Sequence, residues 1–305
     1  MLHWLNMKAR LPAVLVFSLL LFIAARADVD RVRELAPGVF FWQGDHDKRQ
    51  PANCTWVIFK DYVLVIDANF PWGAREILPR IKASTDKPIR YVFDTHYHGD
   101  HSFGNSLFVD AGAAIVCSEV CAEEMRSKGA KGFSNWSDRA HSLEGARIAL
   151  PTITFTDGMV FDDGTQRVEI TRVGPAHSKG DAVAYLPKHK ILVTGDLCVT
   201  WVYGNNVADA DADPANWLRA LDRIAAWDVQ TLIPGHGTPA AADALRLQRD
   251  YLADMLEQVR AGRKAGRSAD QLTREIDLRK HGRLGSNAEG NATSIRAMYR
   301  RVPMN

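Results

Sequence analysis

The sequence predicts an α/β (α+β) chain with two β-sheets packed face to face and helices on both outer surfaces. This is a four-layer αββα sandwich with a C-terminal helical extension. Three observations lead there. Short β-rich segments and helical segments alternate in two batches over residues 28–238. Each batch ends in loops rich in histidine, aspartate and glycine. From about Pro239 onward, through residues 239–305, the pattern is helical. With 305 residues and 46% hydrophobic composition, the chain can bury a large core.

The first 27 residues stand apart from the fold. Lys8 and Arg10 precede an apolar run from Leu11 to Ile23, and Ala25-Arg26-Ala27 offers small residues where a signal peptidase reads. The run is short of the roughly 20 residues that span a bilayer. The expectation is a cleaved export signal, cut after Ala27, with translation starting at Met1 or Met7 and a periplasmic or secreted product. Removing it leaves 35 basic against 36 acidic residues, a net charge of −1 in place of +2. That balance gives no reason to expect nucleic acid or an acidic membrane as partner, and no membrane span is expected after cleavage.

The strands then follow in order. Arg31–Leu35, Val39–Gln43, Thr55–Lys60 and Tyr62–Asp67 are β-branched and aromatic segments parted by turn signals such as Pro37-Gly38. Ala74–Ser84 carries helical spacing, and Pro88–Asp94 reads as a buried strand running into the loop Thr95–His101. A strand at Ala114–Cys117 leads to a helix capped by Ser118. Strands at Ile153–Phe155, Met159–Phe161, Val168–Arg172, Asp181–Leu186 and Ile191–Thr194 form the second batch. Asp213-Pro214 starts a helix through Trp227, and Thr231–Ile233 is a last strand before a long helix reaching about Arg263. Cys54, Cys117, Cys121 and Cys198 permit disulfides in an oxidising compartment, or serve as four small buried hydrophobes.

Five of the ten histidines sit in Gly/Asp-rich loops after predicted strands. His96, His98 and His101 lie in one motif with Asp100. His177 lies in Gly174-Pro175-Ala176-His177-Ser178, and His236 in Pro234-Gly235-His236-Gly237. Asp196 follows the strand before it in Thr194-Gly195-Asp196. Imidazole and carboxylate suit zinc, and seven such side chains are enough for two ions sharing a water. His96 and His98, two apart in an extended loop, project to one side and can grip one ion. Asp100 and His101 fall past a turn made possible by Gly99, where they can reach a second.

This constellation resembles the metallo-β-lactamase fold superfamily over roughly Val29 to Gly237, above all in Thr95-His96-Tyr97-His98-Gly99-Asp100-His101. The resemblance implies that His96, His98 and His177 bind a first zinc and that Asp100, His101 and His236 bind a second, with Asp196 bridging. It also implies that Asp67 is an orienting residue beside the ligands. The implied chemistry is hydrolysis of a small-molecule carbonyl ester, thioester or lactam. The two Zn2+ per chain would activate water, and Asp100 would be the catalytic carboxylate.

Within the superfamily, the ligand set with His101 and Asp196 is similar to the glyoxalase II type and to exported quinoprotein-associated hydrolases. The cysteine-containing β-lactamases have a cysteine at the position of Asp196 and a lysine three residues on, where this chain has Val199. The loop Gly44–Asn53, expected to overhang the site, and the export signal are lactamase-like, so hydrolysis of β-lactam antibiotics is a second expectation. A third is a persulfide dioxygenase-like oxidoreductase with one iron. His98 argues against a diiron redox site, where relatives carry glutamate. Arg279, Lys280, Arg296 and Tyr299 do not reproduce a glutathione-binding pattern, and the charge of −1 offers no phosphate-binding surface for a nuclease.

Overall fold

The computed structural model describes residues 29–48, 51–137, 145–200 and 211–301, together with 143 and 207. The leader, its cleavage site and both candidate start codons lie outside the described residues. Cysteines 54, 117, 121 and 198 are all free thiols, and all four are buried.

The first sheet opens as a meander of β1 (Val32–Ala36), β2 (Val39–Trp42), β3 (Cys54–Ile58) and β4 (Val63–Ile66), each antiparallel to the last. Helix α1 (Pro71–Ser84) crosses over to β5 (Ile89–Phe93), parallel to β4. It starts three residues earlier than the hydrophobic spacing predicts, because Pro71 occupies its first turn, where the missing N–H costs nothing. Two short helices follow, α2 (Gly99–Ser102) and α3 (Asn105–Asp110), then β6 (Ala114–Ser118), α4 (Glu119–Glu124), a π-turn and α5 (Ala130–Ser137). Ser118 Oγ accepts the N–H of Cys121 at 3.1 Å, the N-cap the sequence predicts for α4. β7 (Ile153–Phe155) adds a third parallel pairing and completes the sheet in the order β1 to β7.

The second sheet runs β8 (Gly158–Asp162), β9 (Arg167–Arg172), β10 (Ala182–Leu186) and β11 (Ile191–Val193), all antiparallel. Helix α6 (Pro214–Ile224) then leads to β12 (Thr231–Ile233), which lies parallel to β11. The segment after Pro239 is not continuously helical. Ala240–Ala241 pairs with β12 as β13 before α7 (Asp243–Lys264), α8 (Ala269–Glu275) and α9 (Ala288–Arg301), with a 3-10 turn at Arg279–His281.

Alternation along the strands sets the layers. Leu64 and Ile66 of β4 meet Ala182, Ala184 and Leu186 of β10 in the apolar seam between the sheets. Val63 and Val65 point the other way, onto Ile77 and Ile81 of α1. Val183, Leu192 and Leu232 of the second sheet turn outward against Trp217, Tyr251, Leu252 and Met298 of α6, α7 and α9. The result is the αββα sandwich, with the C-terminal helices forming its outer layer on one side. Among the described residues, no helix is long and apolar enough to cross a membrane.

Candidate metal centre

β5 ends at Phe93, and the following Thr95–His101 lies at the carboxyl end of the strand, where α/β folds place ligands. Thr95 O accepts the N–H of Ala182 at 2.9 Å, which ties this loop to the second sheet. The turn that the sequence reading expects at Gly99 is a helical one. Gly99 opens α2, which lifts Asp100 and His101 beyond His98. A side chain at Gly99 would overlap the Phe103 ring, which explains the glycine by packing rather than by backbone freedom.

The second sheet brings the remaining residues. His177 sits in the β9–β10 loop, held by Asp181, whose carboxylate accepts the Ser178 N–H at 2.8 Å and its hydroxyl at 2.7 Å. Burial pushes the Asp181 carboxyl up to about 7 despite these bonds. Asp196 lies in a 3-10 turn after β11, where Gly195 takes a positive φ of 52°. His236 follows β12. Asn53 Nδ2 donates to Pro234 O and Gly237 O, both at 2.8 Å, and so clamps the His236 loop to the first sheet.

All seven predicted residues converge into two groups. His96, His98, His177 and Asp196 offer ligand atoms within 4.8 Å of one another, as do Asp100, His101 and His236. In the first, His98 Nδ1 lies 3.1 Å from His96 Nε2 and 3.0 Å from His177 Nε2. In the second, His236 Nε2 lies 3.4 Å from both His101 Nε2 and Asp100 Oδ2. Asp196 reaches both groups, with Oδ2 3.4 Å from His177 Nε2 and Oδ1 3.3 and 3.2 Å from His101 and His236.

The opposite edges of the rings are held by oxygen. His96 Nδ1 meets Thr95 Oγ1 at 3.1 Å, His101 Nδ1 meets Asp67 Oδ2 at 2.9 Å, and His236 Nδ1 meets Pro51 O at 2.9 Å. A proton on each outer nitrogen leaves the inner one with a free lone pair, the tautomer a metal ligand needs. Asp67 also accepts the Thr95 N–H and hydroxyl at 2.8 and 3.0 Å, from a backbone held at a φ of 63°. The sequence reading had no role for Thr95, Asn53 or the Pro51 carbonyl.

These residues fit a metal. Zinc–nitrogen bonds of about 2.0–2.1 Å in a tetrahedron set neighbouring ligand atoms roughly 3.3–3.4 Å apart, close to the spacings here. Asp196 Oδ1 is buried and makes no hydrogen bond, although two imidazole nitrogens face it. An orphaned buried carboxylate oxygen is costly, and a cation is its natural partner. A Cβ on Gly235 would overlap that same oxygen, so the floor of the site requires glycine.

The electrostatics divide the site. Burial, reinforced by the neighbouring His101 and His98, lowers the pKa of His96 well below the usual imidazole value. Burial acts the same way on His101 and His236 but is outweighed by Asp196, with Asp67 and Asp100 adding at His101 and Asp100 at His236, so both are raised. Burial of Asp196 is likewise outweighed by His236 and His101, which hold it well below the carboxylate range. Cys198, two residues beyond Asp196, is buried in the core against the second sheet.

A profile described as the metallo-beta-lactamase superfamily matches residues 47–236. The chain is 24% identical over 250 residues to the linear primary-alkylsulfatase of Pseudomonas sp. (strain ATCC 19151), covering 68% of this chain and 46% of that protein. It is 25% identical over 247 residues to the acyl-coenzyme A thioesterase MBLAC2 of Gallus gallus, covering 72% and 86%. The metallo-beta-lactamase from Pontibacter korlensis superposes with a TM-score of 0.61 at 23% identity over 73% of this chain and 98% of that one. The sec-alkylsulfatase Pisa1 from Pseudomonas sp. superposes with a TM-score of 0.71 at 18% identity, over 89% of this chain and 50% of that one. The chain thus spans about half the length of the alkylsulfatases it matches. With the profile covering most of the chain and the seven histidines and aspartates gathered at one metal-binding centre, this protein belongs to the metallo-beta-lactamase superfamily.

Proposed function

We propose that this chain is an exported two-zinc hydrolase acting on a small molecule with a carbonyl ester, thioester or lactam bond. The observation that carries this reading is the divided carboxylate of Asp196, one oxygen facing His177 and the other facing His101 and His236. One carboxylate facing two clusters of ligand atoms can serve a pair of ions at once. In this reading His96, His98 and His177 hold the first ion, Asp100, His101 and His236 the second, and Asp196 both. Bound zinc would supply a water ionised near neutral pH and a Lewis acid for the substrate's oxygen.

The protein's own residues do the rest. Asp67, Thr95 and the Pro51 carbonyl fix the imidazoles in place. The Asp100 side chain, 22% exposed at the rim, can orient the attacking water and accept its proton. Export rests on the leader of residues 1–27. A second reading, hydrolysis of an alkyl sulfate ester, is favoured by one observation. The likeness to Pisa1 covers 89% of the chain, against 73% for the Pontibacter lactamase.

The test is metal analysis of the purified chain, followed by assays on a lactone, a thioester, a β-lactam and an alkyl sulfate. We expect about two zinc ions per chain and turnover of a carbonyl substrate. Turnover of the alkyl sulfate alone would select the second reading. A single iron per chain would overturn both in favour of the dioxygenase type. Asp100→Asn should lower kcat by about 100-fold or more with no change in melting temperature.

A further inference from the structure

His98 and His177 come from different sheets, yet their ring nitrogens lie 3.0 Å apart. Their meeting depends on how two loops are set against each other. The His177 loop is gripped from below by α4. Glu124, the last residue of that helix and 3% exposed, accepts the Gly180 N–H at 3.0 Å and the Lys179 N–H at 3.4 Å. Ser118, its N-cap, donates to Gly180 O at 2.7 Å. Gly180 packs so closely on Cys121 that a Cβ there would overlap the Cys121 backbone.

A carboxylate as buried as that of Glu124 needs a cation beside it. Lys128 supplies one, with Nζ 3.2 Å from Glu124 Oε1. The same ammonium lies 5.1 Å from the centroid of the Tyr97 ring, within cation–π range. Tyr97 stands between His96 and His98 in the chain, and its ring meets that of His98 edge-on at 4.6 Å. Lys128 therefore touches both loops, one through Glu124 and the other through Tyr97. It sits in the π-turn Met125–Gly129, an irregularity that is rare in helices and frequent at functional sites.

We propose that Glu124 and Lys128 are positioning residues for the first ion, a brace that sets His98 against His177 without touching either. The proposal rests on the reading in which His96, His98 and His177 hold that ion. Its consequence is one-sided, because neither residue contacts Asp100, His101 or His236 or the groups shown to hold their rings.

The experiment is competition of the full chain against a zinc-chelating dye, with histidine ring-nitrogen NMR signals assigning each binding step. In Glu124→Gln and in Lys128→Met, affinity for the ion at His98 and His177 should fall by about 10-fold or more, the usual cost of losing an orienting partner. The ion at His101 and His236 should stay within about threefold of the parent. Lys128→Arg should recover the first ion, since a guanidinium can both pair with Glu124 and stack on Tyr97. Lys128 also pairs with Asp211, which Lys179 Nζ meets at 3.1 Å. Lys179→Met, which keeps the backbone N–H bonded to Glu124, should therefore bind both ions as the parent does. First-ion affinity unchanged in Glu124→Gln and Lys128→Met would overturn the brace alone, whereas a parent chain that took up no metal would overturn the metal-centre reading with it. Equal weakening of both ions, the mark of general loosening, would also overturn the brace. So would a failure of Lys128→Arg to recover the first ion, or a matching loss in Lys179→Met.

Discussion

The two halves of the metal centre are built from similar residues and behave differently. His96 and His177 are buried, and with His98 they form an all-imidazole group whose only carboxylate is the shared Asp196. Asp100, His101 and His236 mix charges, and two of the three reach the surface, with side chains 22% and 16% exposed for Asp100 and His236. Burial drives His96 toward its neutral form, whereas Asp196 and its companions favour protonated His101 and His236. The contrast teaches a division of labour. A neutral, enclosed cradle suits tight retention of a cation, while a charged, accessible one suits proton traffic and arriving substrate.

The contrast can be broken most severely at the residue the two halves share. Asp196→Ala should remove both sites, with metal content falling below one ion per chain by elemental analysis and activity falling at least about 1,000-fold. Retention of two tightly held ions would show that the carboxylate does not bridge. A smaller, largely one-sided effect is expected from Asp67→Ala, which removes the direct partner of His101 and reaches His96 only through Thr95. Affinity for one ion should fall by about 10- to 100-fold, the usual cost of losing an orienting partner, while the other ion stays. Equal weakening of both ions would erase the distinction.

The mildest perturbation is pH. Protons compete with metal wherever an imidazole's pKa is raised, so on acidification His101 and His236 should take up protons first. His96, lowered by burial, has no proton to displace until more acid conditions. Titration with a metal-sensitive dye should therefore find one ion released at higher pH than the other. Simultaneous release would contradict the assignment.

Much of this site is legible in the sequence because its chemistry is local. His96, His98, Asp100 and His101 fall within six residues, and no long-range contact is needed to see that they meet. His177, Asp196 and His236 are ordinary loop residues singly and become legible only as a recurring feature of strand ends. What the sequence hid is the support. Asn53 acts across 181 positions on Pro234, and the Pro51 carbonyl carries no side-chain signature at all. Gly99 reads from the sequence as a turn residue, and only the Phe103 ring shows that a close approach also demands it. In the C-terminal segment, β13 is two residues long, too short to express a period. The break before α8 did leave a mark, the capping box of Ser268 and Gln271, in which the Ser268 hydroxyl accepts the Gln271 N–H.

One consequence follows from the position of these residues in the chain. Four come from the loop after β5 in the first sheet, and three from loops of the second, the last of them at His236. Neither sheet by itself carries a complete centre. An ion seated there would act as a rivet through two plates, and a rivet can be driven only once the plates are aligned. Metallation would then be a late event, an acceptance check that a half-made or misdocked chain fails. Such a protein would have no active nascent form, and its activity would begin only when folding is finished.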